Sequence, residues 1–179
     1  MSIFTRLFGK SAPDPKNALH PLYKNVIAKG RELHWYEAGQ VPDTMDGRFG
    51  IISSILALVL LRMEQIPEAA QDAAYLTELF IDDMDAQMRE AGLGDVVVAK
   101  DMGKVMSVLG GRIGAFRGAF DDPAMLAAAI ERNIFGGIKI APSAASHIAV
   151  EFTAYWHELQ AADHAALISA HSAFRILSV

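Results

Sequence analysis

VPDTMDGRFGIISSILALVLLRM, residues 41–63, is the stretch that decides the fold of this chain. Residues 49–61 carry no charge, and at about 100° per residue their apolar side chains cover almost the whole circumference of a helix. A helix that is apolar on every side is either a central core helix or a membrane span. A span needs ~20 apolar residues, whereas Arg48 and Arg62 close this run earlier. The sequence therefore predicts a buried central helix over residues 47–64.

The residues just before this run are typical of a helix start. Pro42 stiffens the approach, and the side chain of Asp43 or Thr44 can cap the first free N–H groups of the helix. Asp46 adds negative charge to the first turn, which stabilises the positive end of the helix dipole.

The composition is that of an ordinary folded protein. The chain has 179 residues and a net charge of −5, which disfavours nucleic-acid binding through phosphate neutralisation and predicts no readout of a nucleic-acid sequence. It contains no cysteine, which excludes disulfides, thiolate catalysis and cysteine-bound metals. No secretory leader is recognisable. We expect a cytoplasmic protein with an N-terminal segment and linker over residues 1–20 and one helical domain over residues 21–179.

Residues 1–10 place several apolar side chains on one face, with Arg6 and Lys10 nearby. This pattern indicates either a short helix packed on the domain or a weak anchor at a membrane surface. The second interpretation would put the protein at the inner face of the cytoplasmic membrane. The three prolines of residues 11–21 predict a linker.

Apolar residues recur at helical spacing through the rest of the chain, which predicts an all-α fold of six to seven helices. Besides the central helix, we expect helices over residues 21–39, 67–92, 96–120, 122–135 and 143–179, the last as one helix or two. Glycine within a helix costs up to ~1 kcal/mol relative to alanine, so we expect another helix to approach closely at Gly30. The same expectation applies to the glycines of the helix predicted over residues 96–120, Gly103, Gly110, Gly111 and Gly114.

Three histidines, His157, His164 and His171, recur every seven residues. Seven residues rise ~10 Å along a helix, which is too far for one metal ion, and we expect these side chains to face solvent. His147 and Glu151 form one i, i+4 pair, and no second such pair accompanies it. The sequence predicts no metal site and no cofactor.

Asp82, Asp83 and Asp85 lie on one predicted helical turn, and paired carboxylates can act as acid and base. Arg89 follows Asp85 by one turn, which favours a solvated, salt-bridged face instead. Nucleophile, phosphate-loop and dinucleotide motifs are absent from the sequence. We therefore assign no catalytic residue.

A set of short motifs occurs in a fixed order within residues 22–120. They are Val41-Pro-Asp-Thr44, Gly47-Arg-Phe49, Asp83-Met-Asp85, Arg89-Glu90, Gly92, Gly94-Asp95, Lys100, Lys104 and Gly111-Arg112. In these motifs the sequence resembles the ubiquinol–cytochrome c chaperone family. It departs from the family pattern at Trp35, at Gly50, where an acid is expected, and at Leu109-Gly110, where Phe-Tyr is expected.

The resemblance implies a non-enzymatic assembly factor for respiratory complex III that binds newly made cytochrome b. It also implies contact with the ribosome or with a small partner protein, as in mitochondria. The polar residues in and beside the motifs then become candidates for partner binding: Asp43, Thr44, Arg48, Asp82, Asp83, Asp85, Arg89, Asp95, Lys100, Lys104 and Arg112.

Two functional hypotheses follow. A chaperone would hold an apolar client segment, and Met84, Met88, Met102 and Met106 suit an adaptable groove, although core packing is the commoner role of methionine. A small all-α enzyme or a carrier of an apolar, quinone-like ligand would instead gather polar residues around a closed pocket. The candidates for that pocket are Asp43, Arg48, Asp83 and Arg112.

The two arginines of the motifs carry a further expectation. The planar guanidinium group of arginine can bind a carboxylate through two parallel hydrogen bonds. We therefore expect Arg48 and Arg112 each to pair with a carboxylate such as Asp43, Asp83 or Asp85.

Overall fold

Seven α-helices make up the part of the chain that the structure describes, which confirms the all-α prediction. The structure is a computed structural model, and it describes residues 14–90, 92 and 95–169, with the backbone alone for residues 95–100. The helices are α1 (His20–Gly30), α2 (Met45–Glu64), α3 (Ala70–Glu90), α4 (Asp95–Phe116), α5 (Pro123–Ile134), α6 (Pro142–Ala161) and α7 (His164–Ile168). Short 3-10 turns precede α1 and α3 (Pro15–Leu19 and Pro67–Ala69) and form Leu33–Trp35 and Ala119–Asp121.

Helix α2 is the central helix, as its sequence predicts. Leu56 and Val59 are fully buried, and α1, α3, α4, α5 and α6 all pack against this helix. The helix begins at Met45, two residues before the predicted start, because Thr44 caps it: Thr44 Oγ1 accepts a hydrogen bond from the Gly47 N–H at 3.2 Å.

Helix α1 is shorter than predicted, since it ends at Gly30 rather than near residue 39. Two aromatic side chains fold back and bind its last carbonyl groups: Trp35 Nε1 donates to Lys29 O at 2.7 Å, and Tyr36 Oη donates to Gly30 O at 2.9 Å. These bonds satisfy the free acceptors that every helix end exposes. Leu33, which fits the helical spacing, is 71% exposed.

The expectation of close helix contact at glycine is correct for Gly30 and wrong for α4. A Cβ atom at Gly30 would lie 2.6 Å from Ile52 Cγ1, so α1 and α2 approach closely at this position. Around the four glycines of α4, the described residues place nothing within 4 Å of the corresponding position apart from the adjacent residues and the backbone of the same helix. The buried face of α4 lies on the other side of the helix, where Val105, Leu109 and Phe116 enter the core.

Between residues 142 and 169, the described part of the C-terminal region, there are two helices with a break after Ala161, the second of the two predicted alternatives. Asp163 caps α7 by accepting a hydrogen bond from the Ala166 N–H at 2.8 Å. Arg62 of the central helix fastens the break, because it donates to Leu159 O at 2.9 Å and to Ala162 O at 2.7 Å. The expectations for residues 1–10 and for His171 lie outside the described residues.

Within the described ranges, none of the helices is both long enough and apolar enough to cross a membrane.

Leu56→Ala should lower the free energy of unfolding by about 2–5 kcal/mol, through lost transfer energy and the cavity left behind. Urea unfolding followed by circular dichroism measures the change. Leu33→Ala is the control, because this side chain is mostly exposed and its loss should change stability by less than ~0.5 kcal/mol. Equal effects of the two substitutions would contradict the central position of α2.

Alanine should have opposite effects at two of the glycines. Gly30→Ala should destabilise by about 1–3 kcal/mol because its methyl group meets Ile52. Gly110→Ala should stabilise by about 0.5–1 kcal/mol, since the position is helical and open. The same urea titration measures both changes, and shifts in the same direction would refute the packing described here.

Candidate partner-binding surface

The candidate binding residues of the sequence fall on three separate elements. Asp43, Thr44 and Arg48 lie at the entrance of α2; Asp82, Asp83, Asp85 and Arg89 lie on the C-terminal half of α3; Lys104 and Arg112 lie on α4. The side chains of Asp95 and Lys100 lie outside the described part of the structure.

At the entrance of α2, the predicted pair between Arg48 and Asp43 is present. Arg48 Nε donates to Asp43 Oδ1 at 2.6 Å, and both side chains are exposed. This hydrogen bond lowers the pKa of the Asp43 carboxyl below its ordinary value. Because the pair is open to water it contributes little to folding, and both groups are accessible to a partner.

On α3, Asp82 and Asp85 point outward as predicted, and Asp83 does not. Asp83 accepts a hydrogen bond from Tyr23 Oη at 2.6 Å, which fastens α3 to α1. Burial raises the pKa of the Tyr23 hydroxyl, and the bond to Asp83 raises it further, so this hydroxyl stays a donor. Asp83 thus joins two helices, and spacing along the chain could not predict this contact because Tyr23 lies 60 residues away.

The two outward carboxylates have cationic neighbours. Asp85 pairs with Arg89 one turn later, with Nε and Oδ2 2.6 Å apart. Asp82, whose side chain is 65% exposed, lies 3.3 Å from Lys16 Nζ, and Lys16 also contacts Glu78. This part of α3 is the solvated, salt-bridged face that the sequence predicts, with an acidic excess.

An open cleft of about 560 Å³ lies beside this face, between α1 and α3. Charged side chains of both signs line it, among them Lys16, Lys24, Arg31, Asp82 and Asp83. Its mixed charge and its open shape favour water over an apolar ligand.

Arg112 contradicts the expectation of a carboxylate partner. It is 6% exposed and is the one charged residue that is buried in the described part of the chain. Its Nη2 donates to Asn133 O at 2.7 Å, and its guanidinium carbon lies 5.0 Å from the centre of the Phe49 ring. Among the residues that the structure describes, its Nε and Nη1 have no hydrogen-bond partner, and burial lowers its pKa to about 10.

The physical reason is that the expected carboxylates are bound elsewhere. Asp43 pairs with Arg48, Asp83 with Tyr23 and Asp85 with Arg89. Arg112 instead packs against the Phe49 ring of α2 and the C-terminal end of α5.

A second open groove of about 560 Å³, the Arg112 groove, lies between the start of α2, the middle of α4 and the end of α5. Its lining residues are Asp46, Phe49, Val108, Gly111, Arg112, Arg132, Asn133, Ile134 and Gly136. Asp83 lines the other cleft, and Asp43 and Arg48 line neither. The four polar residues required by the enzyme or carrier hypothesis therefore do not converge on a closed pocket.

The expected methionine groove is also largely absent. Met84, Met88 and Met102 pack partly buried against the core, which is the commoner role of such residues. Met106 is 46% exposed on α4, close in sequence to the exposed Val108.

Sequence reasoning missed a polar cluster around His34. His34 Nδ1 lies 3.0 Å from His147 Nε2, and His34 Nε2 lies 2.8 Å from a carboxylate oxygen of Glu32. Lys29 Nζ completes the cluster at 2.9 Å from Glu32. Burial opposes the charge on Glu32, but the hydrogen bonds from His34 and Lys29 outweigh it and lower the pKa of this carboxyl.

The expected row of solvent-facing histidines is only partly present. His157 is exposed, whereas His164 binds Asp72 with 2.7 Å between Nε2 and Oδ2 and links α7 to α3. No group of three or more side chains in the described ranges is arranged to hold a metal ion.

Comparison with known proteins gives two matches. The family model described as ubiquinol-cytochrome C chaperone matches residues 37–174. The crystal structure of the Cbp3 homolog from Brucella abortus is similar with a TM-score of 0.77 and 30% sequence identity, over 94% of this chain and 94% of that chain. No curated protein matches the sequence.

The lowered pKa of Glu32 predicts a pH-dependent contribution to stability. A carboxyl whose pKa is lower in the folded state stabilises the fold above its unfolded pKa, and this contribution is lost as the pH falls through the folded pKa. Glu32→Gln should therefore lower the free energy of unfolding at pH 7. The difference in unfolding free energy between this variant and the wild type should shrink as the pH falls below 4.5, the ordinary pKa of a glutamate carboxyl. Urea titrations between pH 7 and pH 3.5 test this, and a difference independent of pH would contradict it.

Proposed function

This chain belongs to the ubiquinol-cytochrome C chaperone family, and from that premise we propose that it is a non-enzymatic assembly chaperone of complex III. Its client is newly made cytochrome b, which it holds until the ubiquinol–cytochrome c reductase assembles. The observation that carries the proposal is the family match over residues 37–174. The four polar residues proposed for a ligand pocket do not line one common pocket. This arrangement supports a binding role rather than an enzymatic one.

The client's chemistry defines the surface that is needed. Cytochrome b is a membrane protein whose helices expose apolar surface until haem and neighbouring subunits are in place. A chaperone for it needs exposed apolar surface, which ordinary monomers restrict to a few hundred Å². Met106 and Val108 on α4 and Met45 at the start of α2 are exposed apolar side chains that suit this role.

The charged groups of the candidate surface suit the same client. Loops of membrane proteins on the cytoplasmic side are rich in lysine and arginine. The outward carboxylates Asp82 and Asp85 are placed to attract such loops, and complementary charge mainly speeds and orients the encounter. Asp43, Arg48, Arg89 and Lys104 are the other candidate contacts with exposed side chains, whereas Thr44 and Asp83 support the fold.

We place this action in the cytoplasm, at the inner face of the membrane into which cytochrome b inserts. Residues 1–10 would supply a weak contact with that membrane. A ribosome or a small partner protein would be a second binding partner near the same place. Pull-down of the tagged chain from solubilised membranes, with probes for cytochrome b and for ribosomal protein, separates these partners.

Deletion of the gene should remove complex III and leave the other respiratory complexes in place. Difference spectra of cytochrome b and native gels of membranes measure this, and the wild-type gene should restore both. Normal complex III with a normal cytochrome b spectrum in the deletion strain would refute the proposed function.

Charge reversal at Asp82 and Asp85, as the double variant Asp82→Lys and Asp85→Lys, should leave folding intact and reduce the cytochrome b that co-purifies with the tagged chain. The reduction should be larger at low salt, because salt screens the attraction. Glu68→Lys with Glu158→Lys is the matched control, since both residues are exposed on other parts of the surface and the net charge changes equally. Equal amounts of cytochrome b captured by the two double variants would show that the acidic face is not part of the binding site.

A further inference from the structure

The Arg112 groove contains a buried cation whose charge is only partly compensated by its neighbours. Taking a cation out of water is costly unless a partner compensates its charge. The guanidinium of Arg112 donates one hydrogen bond to a carbonyl group and packs on one aromatic ring, and two of its nitrogen atoms have no partner within the described part of the chain. A buried polar group that the fold leaves unpaired requires an explanation, and a ligand is one.

The groove around Arg112 has a particular chemistry. Arg132 adds a second, exposed cation, while Phe49, Val108 and Ile134 supply apolar walls. Asp46 is the one acid among the described lining residues, against two arginines, so this lining carries a net positive charge. Such a lining fits a single carboxylate with apolar neighbours, and the fork of a guanidinium matches a carboxylate in shape.

The exposed face of α4 extends from this groove. Small residues follow one another at spacings of three or four, at Gly103, Ser107, Gly111 and Gly114, and are exposed. Gly111 belongs both to this row and to the groove lining. Rows of small residues allow the backbone of another helix to approach closely, as they do between membrane helices.

We propose that an apolar helix of the client lies along the small-residue face of α4 and inserts one acidic side chain into the Arg112 groove. This inference rests on the proposed function, because its occupant is cytochrome b. The inserted carboxylate pairs with Arg112 after a rotation of the guanidinium, and Arg132 closes the pair from the solvent side. An acidic residue on an apolar helix is costly in lipid, so an unassembled client gains from this shelter.

Two variants test the proposal in the full-length tagged chain. Arg112→Met should leave the melting temperature unchanged or raise it, since it removes an uncompensated buried charge, and should reduce co-purified cytochrome b at least tenfold. Gly111→Leu should also fold normally, because the position is exposed and no other described element approaches a Cβ there. Its side chain should block the groove with a similar loss of capture.

Matched controls separate these effects from general damage. Arg117→Met removes an arginine from the end of α4 that pairs with Glu64, and Ala154→Leu adds a leucine at an exposed position on α6. Both should capture cytochrome b like the wild type. Normal capture by the folded Gly111→Leu variant overturns the proposal, whatever the result for Arg112→Met.

The acidic partner is identified by changing each acid of the client's apolar helices to its amide. One of these changes should reduce capture by wild type about as much as Arg112→Met does, and the two should not add when combined, because they remove the same interaction. If, for every acid, the loss of capture adds fully to the loss caused by Arg112→Met, the proposed pairing is wrong. If the wild-type chain captures no cytochrome b at all, the proposed function fails, and this inference fails with it.

Discussion

The rest of the structure depends on the need to cover α2 on every side. An all-apolar helix is stable in water only when other helices surround it, and five helices do so here. The two serines inside α2 can also be buried, because their hydroxyls donate hydrogen bonds to carbonyl groups of the same helix. Ser53 donates to Phe49 O and Ser54 to Gly50 O. Apart from the buried Arg112, the charged side chains that the structure describes are thereby left to the ends and outer faces of the helices, where a partner can reach them.

Features that depend on nearby residues could be predicted from the sequence. The helix class, the central helix and the cap at Thr44 are set by residues that lie close together along the chain. The end of α1 could not, because it depends on Trp35 and Tyr36 turning back after the helix has stopped. Apolar residues continue at helical spacing as far as Leu33, although the side chain of Leu33 is mostly exposed.

The candidate surface divides in the same way. Arg48 and Asp43 lie five residues apart, and their pair was predictable from spacing and charge. Tyr23 and Asp83, Arg112 and Asn133, and His34 and His147 are joined only by the packing of separate helices. For such pairs a single sequence shows which chemical groups are present but not which of them meet. The prediction of a carboxylate partner for Arg112 is wrong for this reason.

The close approach of α1 to α2 at Gly30 has a consequence for how such a sequence can change over time. A side chain at position 30 is rejected by folding itself, before any partner is met, because Ile52 occupies the space. The glycines of α4 are under no such pressure, and alanine would suit their helix better. The fold thus restricts position 30 to glycine-sized residues, whereas a side chain added at the α4 glycines would change the outer surface of that helix and leave the core as it is.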